Sequence, residues 1–129
     1  NRTGLLRAMH AGIAPAFGAT DARQAAVMTG FTVALSNVVS NVPFVVVAKE
    51  WMNGFRNPAL AWYVVAMAST FAGNLTIVGS VANMIVMELS KDRARVGFLQ
   101  YLRAGVPITL LTTAAGLGIL LGLNALHWI

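Results

Sequence analysis

Residues lacking Asp, Glu, Lys and Arg fall into three stretches, 24–48, 57–87 and 104–129, which are 25, 31 and 26 residues long. A hydrocarbon core about 30 Å thick takes roughly 20 helical residues, so each stretch is long enough to cross a bilayer. The third fits an uninterrupted span. The first is broken by Ser36-Asn37-Val38-Val39-Ser40-Asn41-Val42-Pro43. The second, about 46 Å long if wholly helical, contains Gly73-Asn74-Leu75-Thr76 and Gly79-Ser80. Irregular, polar backbone at bilayer depth is tolerated mainly where protein or a water-filled cavity surrounds it, which predicts a substrate or ion site inside the membrane.

In the first stretch Pro43 lacks a backbone N–H and disfavours helical geometry at Val42. A helix from Ala25 is therefore expected to stop between Asn37 and Asn41 and another to start near Pro43, capped by Ser40 or Asn41. Arms of about ten residues, ~15 Å each, would reach the midplane and return as a re-entrant hairpin. The alternative is a straight crossing with the N-terminus inside. It puts Arg2, Arg7, Arg23, Lys91, Arg93, Arg95 and Arg103 on the cytoplasmic side against Lys49 and Arg56 outside, as the positive-inside rule prefers. The hairpin divides the positives almost evenly, yet it is the preferred reading, because that rule orients early spans most strongly.

The second stretch is built alike. Pro58 and Trp62-Tyr63 mark an interfacial entry. Asn74 or Thr76 would cap a second half-helix over 77–89, with Ser80, Asn83 and Met87 on one face. Gly73 and Gly79 allow an unwound segment and close approach of another backbone. The alternative is a kinked span whose Asn74 and Asn83 bond to neighbouring helices.

Composition agrees with a membrane location: 57% of residues are hydrophobic and 10% charged, with a mean hydropathy of +0.71. The net charge of +5 sits at the joints between apolar stretches, which argues against nucleic acid. With no cysteine, thiolate chemistry and disulfides are excluded. No initiating methionine or charged-then-apolar leader is visible, so the chain is expected to be an excerpt of a longer protein. The fold class is thus an all-α membrane protein with a re-entrant helical hairpin, one discontinuous transmembrane helix and one continuous one. Its parts are 1–23 (interfacial helix and linker), 24–48 (hairpin), 57–89 (broken helix), 90–103 (cytoplasmic connector) and 104–127 (final span). In that last span Ala114, Gly118 and Gly122 form a row that permits close helix packing.

Two half-helices starting inside the membrane would each present free N–H groups and a partial positive charge, which suits an anion. The half-helices that precede them end in free carbonyls, which with Ser, Thr and Asn oxygens suit sodium. No carboxylate lies within any of the three stretches, so a proton relay cannot come from them. The candidate substrate and ion residues are Ser40, Asn41, Pro43, Gly73, Asn74, Thr76, Gly79 and Ser80; Ser40, Asn41, Asn74 and Thr76 are the candidate sodium ligands. No other cofactor and no catalytic residue is expected.

The pairing of Ser40-Asn41-Val42-Pro43 with Gly73-Asn74-Leu75-Thr76-Ile77-Val78-Gly79-Ser80, some thirty residues later, resembles the C-terminal half of the ion transporter superfamily. That group comprises divalent-anion/sodium symporters, citrate transporters, arsenite permeases and a class of sodium/proton antiporters. The resemblance implies half of an inverted-repeat transporter, with Ser40 and Asn41 at a hairpin tip and Gly73, Asn74 and Thr76 at an unwound point. Val42-Pro43 departs from the symporters, whose Ser-Asn-Thr signature places threonine after the asparagine.

The expected function is secondary transport of a small anion by alternating access, ion-coupled, in a multi-pass cell membrane protein of the bacterial inner-membrane type. Its expected partners are the anionic substrate, the lipid bilayer, the other half of the transporter and, as a candidate, a second copy of the chain. Sodium/proton antiport or arsenite efflux is the second reading; a structural membrane subunit whose polar breaks only lock helix packing is the third. No nucleophile–base pair or metal cluster points to an enzyme.

Overall fold

The computed structural model describes residues 18–93 and 95–129. Of the interfacial helix and linker expected over 1–23, residues 1–17 lie outside them. Among the described residues the chain forms five α-helices and no strand: α1 (Asp21–Val39), α2 (Asn41–Ala48), α3 (Pro58–Ala72), α4 (Val81–Ser90) and α5 (Phe98–Ala125). Short 3₁₀ turns occupy Lys49–Gly54 and Ile77–Gly79.

Helix α1 begins where Thr20 accepts a hydrogen bond from the Arg23 amide at 3.3 Å, with Asp21 in its first turn. Ala25, Met28, Thr29, Thr32 and Ser36 are buried, a stripe of helical period on one face. The helix runs for 19 residues, about 28 Å, rather than the ~15 Å expected of a hairpin arm. Asn37 does not end it, because its side chain bonds back to the Val33 carbonyl at 2.9 Å. Termination comes at Ser40, whose φ of 70° and ψ of 156° lie in a region essentially reserved for glycine.

The chain then turns back along α1. Phe44, Ala48, Trp51 and Met52 are all buried, and the Trp51 ring meets Phe31 edge-on with centroids 5.9 Å apart. At the far end Arg56 reaches Asp21 at 3.2 Å, and its amide donates to Gln24 at 3.1 Å. Eight α-helical and six 3₁₀ residues cover about 12 Å each, so the returning leg nearly matches α1 in length. Met28, Phe44, Trp51, Leu60 and Val64 belong to one core, which runs along α1 and the returning leg.

Helix α3 starts from Asn57, which accepts from the Leu60 amide at 3.1 Å, with Pro58 in its first turn. It runs parallel to α1, since Arg56 lies beside Asp21 and Ala72 beside Asn37. Helix α5 runs antiparallel to α3, tied by Asn57 to Asn124 at 2.8 Å at one end and by Thr109 to the Phe71 carbonyl at 3.5 Å towards the other. It begins at Phe98, so residues 98–103 of the expected connector are helical. Among the described residues it is the one helix long and apolar enough to cross a membrane.

Helix α4 has no buried residue. Ser80, Asn83 and Met87 are half-buried, as the periodicity predicts, whereas Val86 and Leu89 are exposed. The row Ala114, Gly118 and Gly122 makes no close packing among the described residues, and a Cβ added at Gly118 or Gly122 would meet open space. The glycines of α5 that do take close contacts are Gly105, against the backbone of 74–75, and Gly116, against Met67 and Phe71.

Candidate functional site

Both irregular segments fall at the end of the bundle away from Asp21 and Arg56, and Asn37 joins them. One turn before the reversal at Ser40, the Asn37 Nδ2 donates to the Ala72 carbonyl at 2.9 Å. Its Oδ1 accepts from the Thr76 hydroxyl at 2.9 Å, and that hydroxyl oxygen accepts from the Gly79 amide at 3.0 Å. Thr76 thus caps the 3₁₀ turn Ile77–Gly79 rather than the α-helix, which starts later, at Val81.

Segment 73–80 is a loop closed at its neck. A Cβ on Gly73 would lie 3.4 Å from Ser80 Cβ, and one on Gly79 would lie 2.6 Å from Asn37 Oδ1 and 3.2 Å from the Ala72 carbonyl. Both glycines therefore provide the close approach that the sequence predicts. A second asparagine braces the other side: Asn83 Nδ2 donates to the Gly73 carbonyl at 2.8 Å and to the Tyr101 hydroxyl at 2.7 Å.

These bonds alter the expected chemistry of the end of α3. The Phe71 carbonyl accepts from Asn74 N at 3.0 Å, the Ala72 carbonyl from Leu75 N at 3.0 Å and the Thr70 carbonyl from Gly73 N at 3.3 Å, while Asn37 and Asn83 hold the Ala72 and Gly73 carbonyls. The free helix-end carbonyls expected for a cation are thus occupied. Those of Asn74 and Leu75 face the α5 backbone, 2.5 and 2.7 Å from where a Gly105 Cβ would stand. Among the candidate sodium ligands Thr76 is fully engaged. The Asn41 Oδ1 is buried with no hydrogen-bond partner, an acceptor of the kind a cation or a donor group would satisfy.

The other candidates remain available. Ser40 and Asn74 are exposed, as is Pro43 in the first turn of α2. Ser40 stands at the N-cap of α2 and Ser80 at that of α4, and neither makes a side-chain capping bond. Asn37 belongs to the first sequence break and Asn83 to the polar face of α4, but neither is among the candidate site residues; Tyr101 and Gly105 carry no signal.

Measured along α5, the level of the break is off centre. Gly105 is seven residues from the start of the helix and twenty from its end, about 10 and 30 Å. The break therefore lies nearer the Phe98 end of α5 than the Ala125 end.

The sequence has relatives among named transporters. A protein named as a transporter, arsB, of Dictyostelium discoideum is 46% identical over 85 residues, covering 66% of this chain and 15% of that protein. A silicon efflux transporter of Oryza sativa subsp. japonica is 32% identical over 134 residues, 96% of this chain and 28% of its own length. A 46 kDa membrane protein of Mycobacterium leprae is 26% identical over 93 residues, 66% of this chain and 22% of that protein. These relatives support a transporter family. They support membrane transport as its general role, and with α5 a location in a membrane. The chain spans less than a third of the length of each of these relatives. No family model and no solved structure matches.

Proposed function

We propose that this chain is one half of the translocation unit of a secondary transporter that moves a small inorganic or organic anion by alternating access. One observation carries the reading: two helix starts, each led by a serine that does not cap it, flank the Asn37 junction. Uncapped N–H groups and a positive dipole end at both starts favour an anionic group between them. Ser40, Asn41, Asn74 and Ser80 supply neutral hydrogen-bonding groups, and Asn41 Oδ1 is the oxygen best placed to serve a coupling sodium ion. Ser40–Asn41 forms the tip of a re-entrant hairpin in this reading, the missing half supplies the facing groups, and the protein resides in the bacterial inner membrane.

A second reading, efflux of a small uncharged inorganic solute, is favoured by the silicon efflux relative. The test uses the full-length protein in proteoliposomes, with flux of phosphate, citrate, arsenite and silicic acid measured in the presence and absence of a sodium gradient. Asn41→Ala and Asn74→Ala should each depress flux while leaving the amount of protein in the membrane unchanged. Undiminished flux in both variants would sink the site assignment. Flux confined to silicic acid or arsenite would select the second reading.

A further inference from the structure

We infer that Asn37 is a positioning residue that fixes the spacing between the Ser40–Asn41 tip and the 73–80 loop; as a role in transport this rests on the function proposed above. The amide uses its whole donor capacity at once: both Nδ2 protons are spent, on Val33 O and Ala72 O at 2.9 Å each, while Oδ1 takes the Thr76 hydroxyl at 2.9 Å. One side chain therefore bonds to the helix that carries the tip, to the last residue of α3 and to the residue that caps the 3₁₀ turn.

Two features make the geometry demanding. First, Gly79 leaves no space beside the amide, since a Cβ there would stand 2.6 Å from Asn37 Oδ1. Real Cβ atoms do not approach an oxygen so closely, so any side chain at 79 must displace Asn37. Second, the three partners are two carbonyls and one hydroxyl, a set that an aspartate cannot serve. Its carboxylate would accept from Thr76 but confront Val33 O and Ala72 O with like partial charge. Glutamine carries the same groups one methylene too far. Other tip and loop groups touch solvent, and Asn37 does not need to meet the solute to set where they stand.

The experiment measures a distance and a flux on the same full-length protein. Spin labels on V42C and V78C, both at exposed valines, report the separation of tip and loop in lipid nanodiscs. The unsubstituted background should give one narrow distribution; Asn37→Ala, Asn37→Asp and Gly79→Ala should each broaden it. Thr76→Val, which removes the bond to Asn37 and the cap on the Gly79 amide but leaves Asn37 its two carbonyl partners, should do so more weakly, and Thr76→Ser should restore the narrow distribution. In proteoliposomes Asn37→Ala, Asn37→Asp and Gly79→Ala, without labels, should raise KM about tenfold for whichever of phosphate, citrate, arsenite and silicic acid the unsubstituted protein moves, the equivalent of one lost hydrogen bond to a positioned group, with a smaller change in maximal flux. An unbroadened distribution in both Asn37→Ala and Thr76→Val overturns the positioning role whatever happens to flux. Broadening in a protein that moves none of the four solutes supports the positioning role and overturns the transport reading alone.

Discussion

The two interruptions of the helical path are built from similar residues but stabilised in opposite ways. At Ser40 the backbone takes a conformation unfavourable for any residue but glycine, no side chain caps the following helix, and the tip side chains make no hydrogen bond among the described residues. At 73–80 almost every exposed end is held: Thr76 caps the 3₁₀ turn, Asn37 and Asn83 take the Ala72 and Gly73 carbonyls, and Gly105 lets α5 lie against the loop. A strained, uncapped reversal keeps its polar groups for something outside the described chain, whereas a braced loop can act as its fixed counterpart. The difference suggests a division of labour, with the tip supplying unsatisfied groups and the loop supplying the reference against which they are placed.

The largest expected effect attacks the braced side. At Gly105 a Cβ would fall 2.5 Å from one backbone carbonyl and 2.7 Å from the next, and backbone cannot step aside as a side chain can. Gly105→Ala should destabilise the full-length protein by about 3 kcal/mol, seen as a lowered thermal midpoint in detergent. Gly116→Ala is the control on the same helix. Its Cβ would meet the flexible Met67 thioether first, so its cost should stay under about 1 kcal/mol. Equal losses in the two variants would mean that the contact of α5 with the loop is not special.

Next comes Asn83. Asn83→Ala removes the donor to Gly73 O and to the Tyr101 hydroxyl and leaves a helix-end carbonyl without it, a loss of about 1–2 kcal/mol. Tyr101→Phe spares the Gly73 bond and should cost about half as much. If Tyr101→Phe proved the more damaging, the brace would be a link between α4 and α5 instead of a clamp on the loop.

Much of this architecture follows from local sequence. The second break was visible because Gly73, Asn74, Thr76 and Gly79 combine helix-breaking and capping residues within a charge-free run, and the half-buried face of α4 because Ser80, Asn83 and Met87 repeat at helical spacing. What joins the breaks was not visible. The parallel register of α1 and α3, which puts Asn37 rather than Asn41 beside Ala72, depends on the core of Met28, Phe44, Trp51 and Val64, and no local pattern encodes it. A lone glycine in an apolar helix carries no mark of its neighbour, so nothing local separates Gly105, which packs on the 74–75 backbone, from the more regular row through Gly118 and Gly122, which meets open space. The end of α1 at Val39 falls inside the expected 37–41 range, whereas its start at Asp21, under the Thr20 cap, adds a turn that the charge-free boundary did not mark.

The bare side is tested by relieving it. Ser40→Gly matches the residue to a φ of 70° and should raise stability by about 1 kcal/mol, while removing a hydroxyl that the proposed function places in contact with the solute. A higher thermal midpoint together with reduced flux would show that strain is retained there for function, in the manner of other stability–activity trade-offs. A midpoint that falls instead would show that the serine side chain holds the turn.

The smallest effect concerns the wall shared by both regions. Thr32 and Ser36, one helical turn apart on α1, are 0% and 1% exposed, and their hydroxyl oxygens have no hydrogen-bond partner. A buried hydroxyl without a partner adds nothing to stability, and its desolvation goes unrepaid in the folded state. Thr32→Val, nearly equal in volume, should leave the thermal stability unchanged or slightly raised, by less than about 1 kcal/mol, unlike every substitution in the Asn37 and Asn83 networks. A loss as large as that of Asn83→Ala would mean that Thr32 is satisfied by a buried water or by a group outside the described residues. The polar site would then extend down α1 towards the core, and the tip would no longer be the limit of the groups left open for a partner.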